Sequence, residues 1–381
     1  MKYAYKISNG RVIDPSTNTD TIKDIYIHNS RIVDVDGQNP EIEENIDASG
    51  CLVVPGLIDF HTHLNRGNSD LGIHPDLMTL PNGITSAVDA GSTGSANFEG
   101  FYKNVVCSSD LTIKSFVHIS PIGVMTEIHT ENPDPAVYDY PRLEYLFERY
   151  PEQLLGLKVR IGLNFSRQFG LEPLIATKAL AERLGAVMCV HAVHPESPYD
   201  EILSHFGKGD ILCHCFQSKG PYSILDANGK VGEAARAARE RGVLFDAASG
   251  RANYSFAVAR SAIDDGFLPD FISTDVVTYS VYKPKVFHLL WVMSAYLAVG
   301  MPLQDILRAV TQNPAKAMGM EGQIGTLAPG ALADVAILKI RDKPMAFTDQ
   351  FGNSYLGDKL LLPMATFKAG RCAFMQINFA F

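Results

Sequence analysis

This chain contains no C-x-x-C pair, no basic run, no internal repeat, no low-complexity segment and no long apolar stretch. Each absence excludes something. The six cysteines stand at 51, 107, 189, 213, 215 and 372. Several lie inside apolar runs, so they read as reduced, buried thiols and not as a disulfide framework. With 33 basic residues against 42 acidic ones, the formal net charge is -9. An acidic balance without basic clusters argues against nucleic acid and anionic membrane surfaces as partners. No apolar run approaches the ~18 residues needed to span a bilayer. The opening MKYAYKISNGRVID alternates like a strand and lacks the apolar core of a signal peptide. The expectation is a soluble cytoplasmic protein.

What is present is a chain of 381 residues, 46% hydrophobic and 20% charged. It is long enough for one large barrel with a smaller appendage. Residues 1–50 alternate in short segments separated by Asn9-Gly10, Asp14-Pro15 and Asp36-Gly37, the turn chemistry of a hairpin-rich β unit. Residues 325–381 have a similar texture, so both ends are expected to pair in one small β domain. Residues 51–324 alternate between strand-length apolar runs and helical stretches. The runs fall at 52–60, 85–90, 114–119, 155–159, 186–190, 210–215, 243–247 and 271–273. Eight strands alternating with helices predict an α/β fold, a (β/α)8 TIM barrel.

The chemistry lies where those runs end. The first finishes in Asp59-Phe60-His61-Thr62-His63. Lys158 lies in the fourth, His191 ends the fifth, His214 the sixth and Asp275 the eighth. In such barrels the reacting groups come from the C-terminal ends of several strands. Side-chain alternation puts His61 and His63 on one face, where two imidazoles can grip one metal. It also turns Cys213 and Cys215 toward the helices, while Cys189 shares the face of His191. An ammonium offers no lone pair to a metal. Lys158 beside divalent cations would have to lose its charge, and reaction with CO2 to a carbamate gives an anionic, two-oxygen bridging ligand. Two metals ~3.5–4 Å apart share a hydroxide and polarise a carbonyl, the chemistry of amide and ester hydrolysis. Asp275 would ligate a metal and move the proton. Imidazole and carboxylate donors suit zinc.

With these residues in place, the chain resembles the amidohydrolase superfamily in its binuclear, carboxylated-lysine branch. Val54-Pro55-Gly56-Leu57-Ile58-Asp59-Phe60-His61-Thr62-His63 looks like its first barrel strand. Asn313-Pro314-Ala315-Lys316 and the stretch GTLAPGALAD at 325–334 look like its return to the β domain. The resemblance implies that His61, His63 and Asp275 hold one metal, that His191 and His214 hold the other, and that carboxylated Lys158 bridges them. GITSAVDAGSTGSANF, GDILCHCFQSKGPYSILD and GVLFDAASGRANYSF resemble a dihydroorotase-like group of deacetylases. That implies cleavage of an amide or ester in a small, carboxylate-bearing acyl substrate. Dihydroorotases resemble one another in an Arg two residues after the second His. Here that position is Asn65, and Arg66 follows. A cyclic-amide hydrolase of the dihydroorotase or hydantoinase kind is the alternative, and a non-catalytic scaffold the alternative of another class.

Arg160, Asn164 and His118 are the substrate-binding candidates. Arg167, His194, Tyr279 and Tyr282 fall in or after strand–helix loops. Asp89 and Ser92 read as shaping a loop. His28, His74, His129, His205 and His288 read as structural or surface. Apolar stretches such as VFHLLWVMSAYLAV leave a homo-oligomer open.

Overall fold

The first strands follow the alternation of the sequence: β1 (Lys2–Ser8), β2 (Arg11–Asp14), β3 (Thr19–Ile22), β4 (Ile25–His28), β5 (Arg31–Val33), β6 (Glu41–Asp47) and β7 (Leu52–Pro55). The middle of the chain supplies β8 (Leu57–Thr62), β9 (Ile84–Gly94), β10 (Thr112–His118), β11 (Leu154–Ile161), β12 (Val187–Ala192), β13 (Ile211–Cys213) and β14 (Leu244–Asp246). Three more close the chain: β15 (Val335–Thr348), β16 (Ser354–Lys368) and β17 (Arg371–Met375). This computed structural model describes residues 2–35, 40–126, 128–250, 253–281 and 288–380. Tyr282 and the Asp36-Gly37 turn lie outside them.

The middle strands form one parallel sheet in the order β14-β13-β12-β11-β10-β9-β8. Parallel neighbours need long crossovers, and helices supply them. The helix Glu172–Leu184 joins β11 to β12. Pro173 sits in its first turn, Leu174, Thr177, Leu180 and Ala181 form its buried stripe, and Gly185 at φ 62 stops it. Helix Glu233–Glu240 joins β13 to β14, and helix Leu289–Ala298 follows β14. Strands covered on both faces read as continuous apolar runs, and every residue of β9 is buried.

Residues 271–276 run between the two edges of this sheet. Asp246 of β14 bridges to Phe271, and Thr62 of β8 bridges to Val276. The Asp275 amide donates to the His61 carbonyl at 2.8 Å. Buried Asp59 accepts from the Thr274 amide at 3.0 Å and from its hydroxyl at 2.6 Å. The expected strand at 271–273 is therefore a set of isolated bridges and not a ladder. The extended path ends at Asp275, whose φ of 49° turns the chain.

The expected run at 52–60 is two strands in two sheets. The chain divides at Gly56, where a Cβ would lie 2.2 Å from the Thr85 hydroxyl. β7 leaves for a six-stranded sheet, β17-β16-β15-β7-β2-β3, pairing parallel with β2 and antiparallel with β15. Strands from both chain ends thus share one sheet. The expected Asn9-Gly10 hairpin is absent: β1 pairs with β4 and β6 in a separate four-stranded sheet. Gly10 lies against β7, where its Cβ would fall 2.4 Å from Val53. Ile7, Ile27, Val53, Ile337 and Phe367 join in one buried cluster between these sheets. Among the described residues, no helix is long and apolar enough to cross a membrane.

Candidate metal centre

The parallel sheet curls, and Ile58, Phe60, Val88, Phe116, Cys189, Ile211, Cys213 and Phe271 meet on its concave side. Phe60 stacks on Phe271 with ring centroids 4.1 Å apart. Above this apolar layer, at the C-terminal strand ends, a cavity of about 370 Å³ opens. His61, His63, Lys158, Arg160, Asn164, His191 and Asp275 line it.

Each strand delivers its residues differently. On β11, Leu157 and Val159 face the helices, so Lys158 and Arg160 share the opposite face. On β12, Cys189 and His191 likewise share the concave side. Simple alternation fails on β8, because Phe60 already points inward. The β8–β9 register shifts between Asp59 and Thr62, and His61 turns toward the cavity. Alternation also fails after β13. Cys213 faces the concave side, whereas the sequence pattern assigned it to the helices. The pattern assumed that His214 continues the strand, but His214 has φ 56 and lies beyond it. Cys215 does pack among the helices.

The imidazoles are oriented by partners. His61 Nδ1 lies 2.9 Å from Asp246 Oδ2, and Asp246 Oδ1 accepts from the Ser273 hydroxyl at 2.5 Å. His63 Nδ1 lies 2.9 Å from Ser92 Oγ, which itself donates to Asp89 at 2.7 Å. His63 is therefore the donor in that pair. His214 Nδ1 donates to the Ala248 carbonyl at 2.8 Å. All three Nε2 atoms are thereby left with lone pairs. His214 Nε2 and His191 Nε2 are buried without a hydrogen-bond partner. Asp275 stands between the rings: Oδ1 is 3.3 Å from His63 Nε2 and 3.7 Å from His61 Nε2, and Oδ2 is 4.0 Å from His214 Nε2. Donor atoms of His61, His63 and Asp275 lie within 4.8 Å of one another. Lone pairs converging without protons between them fit a divalent cation.

Electrostatics agree. Burial, followed by the charge of Lys158, holds His61 well below the ordinary imidazole value, and burial with His214 does the same to His191. Burial lowers His214 to about 3. These rings are neutral, as ligands must be. Burial pushes the Asp275 carboxyl up, but the adjacent imidazoles of His63, His61 and His214 outweigh it and hold it low. Burial raises Asp246 to about 6.

Lys158 is fully buried, with Nζ 3.3 Å from His61 Nε2. Gly91 makes room for its stem, since a Cβ there would lie 2.6 Å from Lys158 Cβ and Cγ. Burial disfavours the ammonium, Cys189, Cys213 and the carboxylates of Asp275 and Asp246 favour it, and the amine stays above its ordinary value. Cys189 and Cys213 lie beneath it, 3.2 Å apart, and with His61 they form a second group of close donor atoms. Burial pushes the Cys213 thiol well up; burial acts the same way on Cys189, but the hydrogen bond with Cys213 and the charge of Lys158 outweigh it and draw that thiol down.

The three substrate-binding candidates fare differently. Asn164 and Arg160 line the cavity. Arg160 Nε donates to Glu131 Oε1 at 2.6 Å and Nη2 donates to Oε2, while the guanidinium lies 4.2 Å over the Phe165 ring. His118 is not among the cavity-lining residues. Its Nε2 stands 3.2 Å from Glu131, behind Arg160, because β10 ends there and the Ser120 amide donates to Nδ1 at 3.0 Å. Arg167 reaches Thr130 at 2.9 Å. Arg66 lines a separate pocket with Ile73, His74 and Met78.

Sequence reasoning missed Asp246, Glu131, Lys219 and Asn253, and read Ser92 only as shaping a loop. Asp246 carried a signal, since it ends a strand as the ligands do. Glu131 carried none, lying in the long β10–β11 connection.

Residues 52–371 match the profile of the Amidohydrolase family. A deacetylase of Agrobacterium fabrum is 35% identical over 317 residues, covering 83% of this chain and 77% of that one. Among solved structures, that of an adenine deaminase superposes with a TM-score of 0.89 at 27% identity, over 98% of this chain and 100% of the other. That of a dihydroorotase superposes at 0.86 with 29% identity, over 98% of each.

Proposed function

This chain belongs to the amidohydrolase family and is a hydrolase of C–N bonds, and from that premise we propose that it is a metal-dependent deacetylase that cleaves the amide or ester of a small, carboxylate-bearing acyl compound. The observation that carries the reading is the convergence of His61, His63, Lys158, His191 and Asp275 on one cavity, with buried His214 beside them and lone pairs turned inward. The same reading takes the parallel sheet and residues 271–276 as a (β/α)8 barrel, 51–324, with 1–50 and 325–381 as its β domain. The two edge bridges and the sheet shared by both chain ends support it.

His61, His63 and Asp275 would hold one divalent ion, and His191 and His214 a second, with zinc the metal such donors suit. Lys158 would bridge them as its carbamate, formed from the neutral amine and CO2 with release of one proton. Two dications beside Lys158 would overturn the balance that favours its ammonium. Bound there, the ions supply Lewis acidity that activates water and polarises the scissile carbonyl. Asp275, ionised and within 4.0 Å of three imidazoles, takes the proton of the attacking water and returns it to the departing nitrogen or oxygen. Asp246, Ser92 and the Ala248 carbonyl keep the rings in one tautomer while this happens.

Cyclic-amide hydrolysis is the second reading, favoured by the dihydroorotase superposition. Against it, Arg66 lines a different pocket from the metal ligands, so no guanidinium from that loop meets a substrate carboxylate. The test is turnover by zinc-loaded protein of N-acetyl and O-acetyl acids against dihydroorotate and hydantoins. Cleavage of the acyl set is expected. Cleavage of the cyclic set alone would overturn the deacetylase assignment.

A further inference from the structure

Besides Lys158, the cavity that holds the metal ligands is lined by two cations of very different standing. Arg160 is committed: Glu131 takes two of its donors. A guanidinium paired in that way is a wall, and its charge is largely cancelled. Lys219, in the loop that follows His214, is half-buried and also lines the cavity. Among the described residues its ammonium contacts only the Asn253 side-chain oxygen, at 3.5 Å. No carboxylate of the described residues lies within ion-pair distance of it. Among the described residues, the sole carboxylate lining the cavity is Asp275, which faces the imidazoles.

A partly desolvated ammonium with one neutral neighbour is costly unless an anion arrives. Burial already draws the Lys219 pKa below its ordinary value. Leu71, Val124, Phe165 and Val277 give the cavity an apolar stretch of wall, with Thr126, Thr130 and Asn164 among its neutral polar members. Small-ligand sites combine such a wall with a few placed polar groups that fix orientation.

We propose that Lys219, with Asn253 beside it, is the anchor for the substrate's carboxylate, and that Arg160 is not. The inference rests on the deacetylase reading and names the group that selects within it. An acyl compound would lie with its carboxylate at Lys219, its body on the apolar wall and its scissile carbonyl toward Asp275. Neutral acyl compounds would be poor substrates because the ammonium would stay uncompensated.

The experiment compares wild type, Lys219→Met and Lys219→Arg, all zinc-loaded, on N-acetylalanine and O-acetyl-lactate and on their neutral carboxamides. In Lys219→Met, KM for the acids should rise about 10- to 100-fold, the worth of a hydrogen bond to a charged group. The kcat should change far less, the carboxamides should shift by a few-fold at most, and Lys219→Arg should recover most of the loss. Calorimetric titration of lactate and alanine reads the same site without turnover. If no acyl compound is cleaved but carboxylate binding is lost in Lys219→Met, the anchor stands and the deacetylase reading falls. Equal losses on acids and carboxamides would overturn the anchor. So would carboxylate binding that is absent in wild type or undiminished in Lys219→Met.

Discussion

His61 has one nitrogen to offer, because its Nδ1 is already 2.9 Å from Asp246. The same holds for His63 against Ser92 and His214 against the Ala248 carbonyl. The candidate ligands were legible in the sequence, since each stands in the C-terminal half of an expected strand or just past it. Their partners were not: Asp246 and Ser92 act through contacts between residues far apart in the chain, and no local pattern reports those. Asp246 gives a direct check. Its replacement by Asn keeps the shape but removes the charge that orients His61, and partners of this kind are worth about 10- to 100-fold in metal affinity. Zinc competition against a chelator should show that loss in Asp246→Asn with the circular dichroism spectrum unchanged. Undiminished affinity would mean that Asp246 does not orient His61.

Strands and loops set which side chains reach the cavity. Where a strand runs regularly, as in β11 and β12, alternation alone predicts the faces of Lys158, Arg160, Cys189 and His191. Where it does not, prediction from alternation fails for an identifiable reason. β8 carries a register shift between Asp59 and Thr62, around His61, and the chain leaves β13 in a left-handed residue at His214. Asp275 and Ala248 also have positive φ, at 49° and 36°. Strain of this kind collects where function dictates the backbone. Glycine serves the same purpose in β9. A Cβ at Gly91, already at φ 89, would lie 2.6 Å from the Lys158 stem. Gly91→Ala should therefore destabilise the protein by roughly 1–3 kcal/mol and reduce zinc uptake. Gly100→Ala, in the helix Phe98–Asn104 with nothing within 4 Å of the added carbon, should instead stabilise by about 0.5–1 kcal/mol. Thermal melts of both variants decide it, and equal effects would remove the special role given to Gly91.

At the scale of the whole molecule, the order of helices and strands was readable because parallel strands buried on both faces are apolar runs of defined length. The kinship of the two chain ends was readable from their shared texture. The division at Gly56 was not, because one unbroken apolar run serves two sheets. The charge inside the cavity was hidden as well: a chain of net charge -9 exposes an ammonium there. What ties these scales together is the claim that six distant side chains hold two divalent ions with Lys158 between them. Metal analysis of protein loaded with zinc and bicarbonate, wild type against Lys158→Met, tests it most directly. The account predicts two ions per chain in wild type and no more than one in the variant. Two ions retained without Lys158, or wild-type protein that takes up less than about half an equivalent, would contradict it.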